Sequence, residues 1–178
     1  MKKLIKEQLF ALLLGLIDGI LTVLVLATGH VLKQGETPIT LSLSLKVAFA
    51  TAVSGACIYF FSEYSRQRHR LIHAEKQLNL ATHGKLATTQ LGRQIFKETL
   101  WGVVVSSIFN FAGAMLPLSV AMLFPQMQWI AILIALLMLV LLGVGIASLV
   151  YGNAVAWSLS LVLAGVFVAF IGYKLNVV

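Results

Sequence analysis

Acidic residues are scarce in this 178-residue chain: there are six Asp and Glu in all, and charged residues of both signs make up 11% against 60% hydrophobic. Soluble domains are about a quarter charged and just under half apolar, so this deficit excludes an ordinary soluble fold. Cysteine is rarer still. Cys57 stands alone inside an apolar run, which rules out an intramolecular disulfide and any zinc site built on cysteines. Internal repeats and low-complexity segments are also missing, so the inverted-repeat architecture of many transporters finds no support. Nor does the chain hold a Ser-His-Asp-like set, an HExxH or a nucleotide-binding loop, and an enzyme is not expected.

Apolar sequence fills the chain instead. Runs at about 8–32, 39–64, 99–124, 127–150 and 154–173 are each long enough to cross a hydrocarbon core as a helix. The expected fold class is all-α integral membrane: one polytopic domain over 1–178, with five transmembrane helices and a polar helical loop at 65–98. The Lys-rich start resembles a secretory signal, but the apolar run from Leu9 to Leu32, with Asp18 in its middle, is too long for one. It reads as a retained first span. Residues Lys33 to Pro38 mark a turn, with Thr37 and Pro38 suited to a helix start. Pro117 is tolerated within span three, Pro125 ends it, and Tyr151-Gly152-Asn153 is a minimal turn. Between 65 and 98, Leu71, Ala74, Leu78 and Ala81 recur at helical spacing. They predict an amphipathic helix continuing from or following span two and lying against the membrane surface, then a turn near His83-Gly84.

Thirteen Lys and Arg give a net charge of +7. Ten of them fall in two places: Lys2, Lys3 and Lys6 before the first span, and Arg66, Arg68, Arg70, Lys76, Lys85, Arg93 and Lys97 in the polar loop. That pattern fits the positive-inside rule, with attraction to anionic headgroups, rather than a nucleic-acid partner. It puts the N-terminus and the loop in the cytoplasm and, after five spans, the C-terminus outside. A short start without a targeting extension favours a prokaryotic inner membrane.

Polar groups inside the spans are the informative ones, because a centrally placed Asp costs roughly 2.5–3.5 kcal/mol on insertion scales. Asp18 lies twelve positions after Lys6, about 18 Å of helical rise, near the midplane. Gly15, Asp18, Gly19, Thr22 and Gly29 share one narrow stripe, which belongs against protein because small residues let backbones approach. Span two carries Ala48, Ala52, Gly55, Tyr59 and Glu63 on one face, and span three carries Ser106, Asn110, Gly113 and Pro117. Spans four and five, with few polar groups, read as lipid-facing support. A pathway lined by spans one to three follows, with Thr22, Tyr59, Asn110 and Met115 as lining candidates. Its carboxylates, amide, hydroxyls and carbonyls are hard oxygen donors suited to divalent cations, and the Met115 thioether adds softer character. Burial and a bound cation push a carboxyl's titration in opposite directions, so Asp18 can alternate between proton and metal. Plainer readings stand beside these: Asp18 as a structural carboxylate bonded to Thr22 or Asn110, and Glu63 as an interfacial ion pair with Arg66. His69 and His73, at i and i+4, share a helix face and could contact metal on the cytoplasmic side, or form a solvated face among arginines.

Three motifs carry a family resemblance. Gly15-Leu-Ile-Asp18-Gly19-Ile-Leu-Thr22 followed by Leu26-Ala-Thr-Gly29, Ser54-Gly55-Ala56 with Ser62-Glu63-Tyr64-Ser65 and Gln67-Arg68, and Phe111-Ala-Gly113-Ala114-Met-Leu-Pro117 together resemble the vacuolar iron transporter family in order and spacing. The resemblance implies a homodimer that moves Fe2+, with Mn2+ as a secondary cargo, out of the cytoplasm in exchange for protons, with Asp18 and Glu63 as transport carboxylates. No permanently bound cofactor is implied; the metal is cargo. Two departures mark a divergent member. Tyr59 stands where the family carries a Met one turn before the span-two Glu, and the loop is reduced and basic, its only carboxylates Glu75 and Glu98. A basic vestibule repels Fe2+, so iron capture by the loop is not expected. The alternative function is a membrane scaffold or interaction protein that keeps the fold without transport.

Overall fold

A computed structural model describes residues 2–33, 40–77, 89–124, 127 and 129–175. The expected turn at Gln34–Pro38, the turn near His83-Gly84, the positions Leu78 and Ala81, and the Pro125 terminator lie outside the described residues. Five helices account for the rest: α1 (Lys2–Lys33), α2 (Leu41–Gln77), α3 (Gln90–Leu123), α4 (Ile130–Val150) and α5 (Ala154–Leu175). Each contains a stretch long and apolar enough to cross a membrane. The protein is an all-α integral membrane protein.

Two helices run well past the spans expected from hydropathy. At 37 and 34 residues, α2 and α3 extend about 55 and 51 Å at 1.5 Å per residue, far more than the ~30 Å hydrocarbon core. The polar segment after Tyr64 is a continuation of α2 through Gln77, the first of the two forms expected for it. The reason is local: no Gly or Pro interrupts residues 64–77, and sharp kinks need such a breaker. Just before this extension α2 packs on α3, where Phe96 meets Phe60 and Tyr64 edge-to-face at centroid distances of 6.0 and 6.1 Å.

α1 is the central helix and touches all four others. In lipid no hydrophobic force drives helices together, so association depends on close packing and small residues. Gly15 and Gly19 show this most sharply. A β-carbon at Gly15 would collide with the Ser106 carbonyl oxygen, and one at Gly19 with the Asn110 carbonyl oxygen, so α1 and α3 meet backbone to backbone. Above this contact, Val23 and Ala27 of α1 pack with Ala48, Ala114, Leu118 and Ala131 from the other helices. On the opposite flank Ile20 and Leu24 pack against Ala135 and Leu139. Thus α4 is more than lipid-facing support: Ala131, Ala135, Leu139, Gly143 and Ala147, four residues apart, form a buried stripe hidden in sequence by uniform hydropathy. α5 keeps the expected lipid-facing character, with Val155, Leu159, Leu163, Phe167 and Phe170 exposed.

The α4–α5 corner is the turn expected at 151–153. Tyr151 closes α4 in the left-handed region at φ 54°, Gly152 N–H returns to the Ala147 carbonyl at 2.9 Å, and Asn153 Oδ1 accepts the Val155 N–H at 3.0 Å. Carbonyls at the end of α4 and a donor at the start of α5 are thereby satisfied.

Candidate functional site

Asp18, Gly55 and Asn110 come from three helices and converge on one point. The fully buried Asn110 donates from Nδ2 to Asp18 Oδ2 at 2.7 Å, and Asp18 itself is partly buried. Gly55 makes the junction possible. A β-carbon there would strike the Asn110 amide nitrogen and lie 2.9 Å from Asp18 Oδ2. The Asp18 carboxylate is thus held by the amide nitrogen, while the amide oxygen, also a hard donor, is buried without a partner among the described residues.

From this junction a cavity of ≈ 430 Å³ runs along α2 toward Glu63 and Arg66. Gly55, Tyr59, Ser62 and Glu63 form one wall; Phe10, Leu14 and Asp18 form the facing wall, and the buried Ser106 contributes from α3. Phe10, Leu14 and Ile58 are 52%, 42% and 67% exposed, so the flank between α1 and α2 is open. A second cavity of ≈ 280 Å³ lies between α2 and α3, with Gln8, Gln67, Lys97, Glu98 and Trp101 on its walls. Tyr59 and Glu63 border both. Tyr59 is seated against Gly102, where a β-carbon would lie 2.7 Å from its hydroxyl.

Glu63 is already engaged. Arg66 donates from Nε to Oε2 at 3.0 Å and from a terminal nitrogen to Oε1 and Oε2 at 2.8 and 2.6 Å, while Gln67 Nε2 donates to Oε1 at 2.6 Å. The Glu63 side chain is 12% exposed and that of Arg66 46%. The geometry is that of the interfacial ion pair, with Gln67 added. The i, i+4 spacing of Glu63 and Gln67 carried that signal in the sequence.

The remaining candidates divide. Thr22 does not reach the carboxylate; its hydroxyl donates to the backbone carbonyl of Asp18 at 2.9 Å, and its side chain borders an apolar cavity against α5. Met115 packs on the cluster around Val23 and Ala114 and is not among the cavity's lining residues. The His69 and His73 rings lie 4.5 Å apart on the α2 extension, away from the Asp18 junction. No group of three or more His, Cys, Asp or Glu converges among the described residues. Compared with protein-family models, curated proteins and solved structures, the chain has no match.

Proposed function

We propose that the chain transports a divalent transition metal, Fe2+ or Mn2+, out of the cytoplasm as a homodimeric proton-coupled antiporter of a prokaryotic inner membrane. The observation that carries this reading is the Asp18 carboxylate, which borders the cavity while Asn110 behind it holds one oxygen. A carboxylate held at the midplane by a buried amide, with an open cavity before it, marks an ion or proton pathway. The resemblance of the three motifs to vacuolar iron transporters agrees with it.

Charge sets the oligomeric requirement. One carboxylate and one amide oxygen are too few for a divalent ion that takes six or more oxygens. The open flank at Phe10, Leu14 and Ile58 is where a second copy would bring its own Asp18 and complete the site. Deprotonated Asp18 holds the cation; protonated Asp18 releases it and carries the proton back. The positive charge near α1's start and on the α2 extension then faces the cytoplasm.

A scaffold without transport is the second reading, and the engagement of Glu63 by Arg66 and Gln67 favours it, since that carboxylate is not open to a metal. Flux in proteoliposomes separates the two. Wild type and Asp18→Asn are compared for Fe2+, Mn2+, Zn2+ and Co2+ uptake under an imposed pH gradient. The transport reading expects gradient-dependent Fe2+ or Mn2+ uptake that Asp18→Asn abolishes. Absence of flux for all four ions, in protein that is folded and dimeric, establishes the scaffold instead.

A further inference from the structure

We propose that His69 and His73 form an exchangeable transition-metal site on the part of α2 that projects beyond the bilayer. The two residues are four apart on an unbroken helix, hence on one face with about 6 Å of rise between them. Their rings already lie 4.5 Å apart at 76°, and both residues are exposed. Small rotations about the side-chain torsions bring one nitrogen of each ring to the ~2.0–2.1 Å bond length of an imidazole-bound ion. The helix fixes the pair in advance, so the second imidazole binds as an intramolecular ligand, and water fills the other positions.

The surroundings set the class of ion. Arg66 and Arg70 flank His69 in sequence, and a basic surface disfavours any cation drawn by charge alone. Arg66 is partly neutralised by its contact with Glu63; Arg70 is exposed on the same segment. Ions that prefer oxygen, Mg2+ and Ca2+, gain nothing from imidazole. Zn2+, Ni2+, Cu2+ and Fe2+ do. The site therefore takes borderline transition metals and rejects alkaline earths. His69 lies six residues past Glu63, about 9 Å along the axis. As a metal site it stands independently of the transport reading.

The test uses the full chain in nanodiscs, free of any affinity tag and in an Asp18→Asn background so that the buried junction cannot contribute. Calorimetric titration with Zn2+ or Ni2+ is expected to show one ion per chain, weakened about tenfold or more by His69→Ala or His73→Ala through loss of the chelate. Mg2+ is expected to give no binding. Cu2+ bound to the same protein is expected to show paramagnetic resonance couplings from two imidazole nitrogens. Binding by the His69→Ala/His73→Ala protein equal to its parent, or a Cu2+ spectrum with fewer than two nitrogens, overturns the proposal. Because Asp18 is absent throughout, failure here leaves the flux result standing, and failure of flux leaves this site standing.

Discussion

Removing Asn110 perturbs the side-chain hydrogen bond that joins α1 to α3 among the described residues. Asn110→Ala takes the Nδ2 donor from Asp18, now 2.7 Å away, and Asp18→Ala leaves a fully buried amide with neither end partnered. A hydrogen bond to a charged group is worth about 1.5–3 kcal/mol in soluble proteins. Side-chain hydrogen bonds between membrane helices average about 0.6 kcal/mol with a maximum near 1.7, because the separated helices find other partners in the bilayer. The Asp18–Asn110 pair is charge-assisted, short and buried on the Asn side, so a coupling of about 1–1.7 kcal/mol is expected, at the top of the membrane range. The assay is a double-mutant cycle over wild type, Asp18→Ala, Asn110→Ala and the double variant, with reversible unfolding in bicelles read by steric trapping. The double variant should be more stable than the summed single losses predict, since it removes both partners and leaves neither orphaned. Additive losses, with coupling below about 0.3 kcal/mol, refute the pair as an energetic link and reduce it to a geometric coincidence.

Two further outcomes follow from the packing and the ion pair. Gly19→Ala should destabilise the fold by about 1–3 kcal/mol through overpacking, because its methyl meets a backbone carbonyl that cannot swing aside. Gly145→Ala, whose nearest contact is Leu13 Cδ2 at 3.8 Å, should be neutral or stabilising by up to about 1 kcal/mol; thermal unfolding of the two side by side checks the contrast, and equal effects would contradict the backbone contact between α1 and α3. Arg66→Gln should shift stability by no more than about 1 kcal/mol, as expected for a half-exposed pair, while releasing Glu63 to solvent ions; a loss above about 3 kcal/mol in the same assay would mean that the pair carries structure.

Much of this arrangement was readable from residue types and spacing, and the failures have definite causes. Asp18, Gly55 and Asn110 each stood on a small-residue stripe, and stripes of that kind must face protein in lipid, so their convergence followed from pattern alone. Thr22 shared the Asp18 stripe, yet its hydroxyl bonds a carbonyl one turn back. Spacing cannot distinguish this outcome, since a helical Thr always has its own i−4 carbonyl within reach. Met115 sat near the polar face of span three, but a thioether packs as readily as a hydrocarbon, and it joined the apolar cluster. The buried edge of α4 escaped notice because Ala and Leu score alike as apolar, and a stripe that differs from its surroundings in size rather than polarity leaves no hydropathy signal. At the end of span two, polarity changes at Tyr64 while helix propensity does not, so hydropathy marks a boundary there and the helix runs on to Gln77.

That unbroken α2 makes the molecule a lever. Gly55, pressed against the Asp18–Asn110 junction, and Gln77, at the far tip of the same rod, are separated by 22 residues, about 33 Å of rigid helix. A tilt of five degrees about Gly55 displaces the tip by roughly 3 Å. Sub-ångström adjustments around the carboxylate, too small to follow directly, are thus magnified at the far end of the helix. A spectroscopic probe placed near that tip would read the state of the junction from a distance, and anything that grips the tip would in turn hold the junction still.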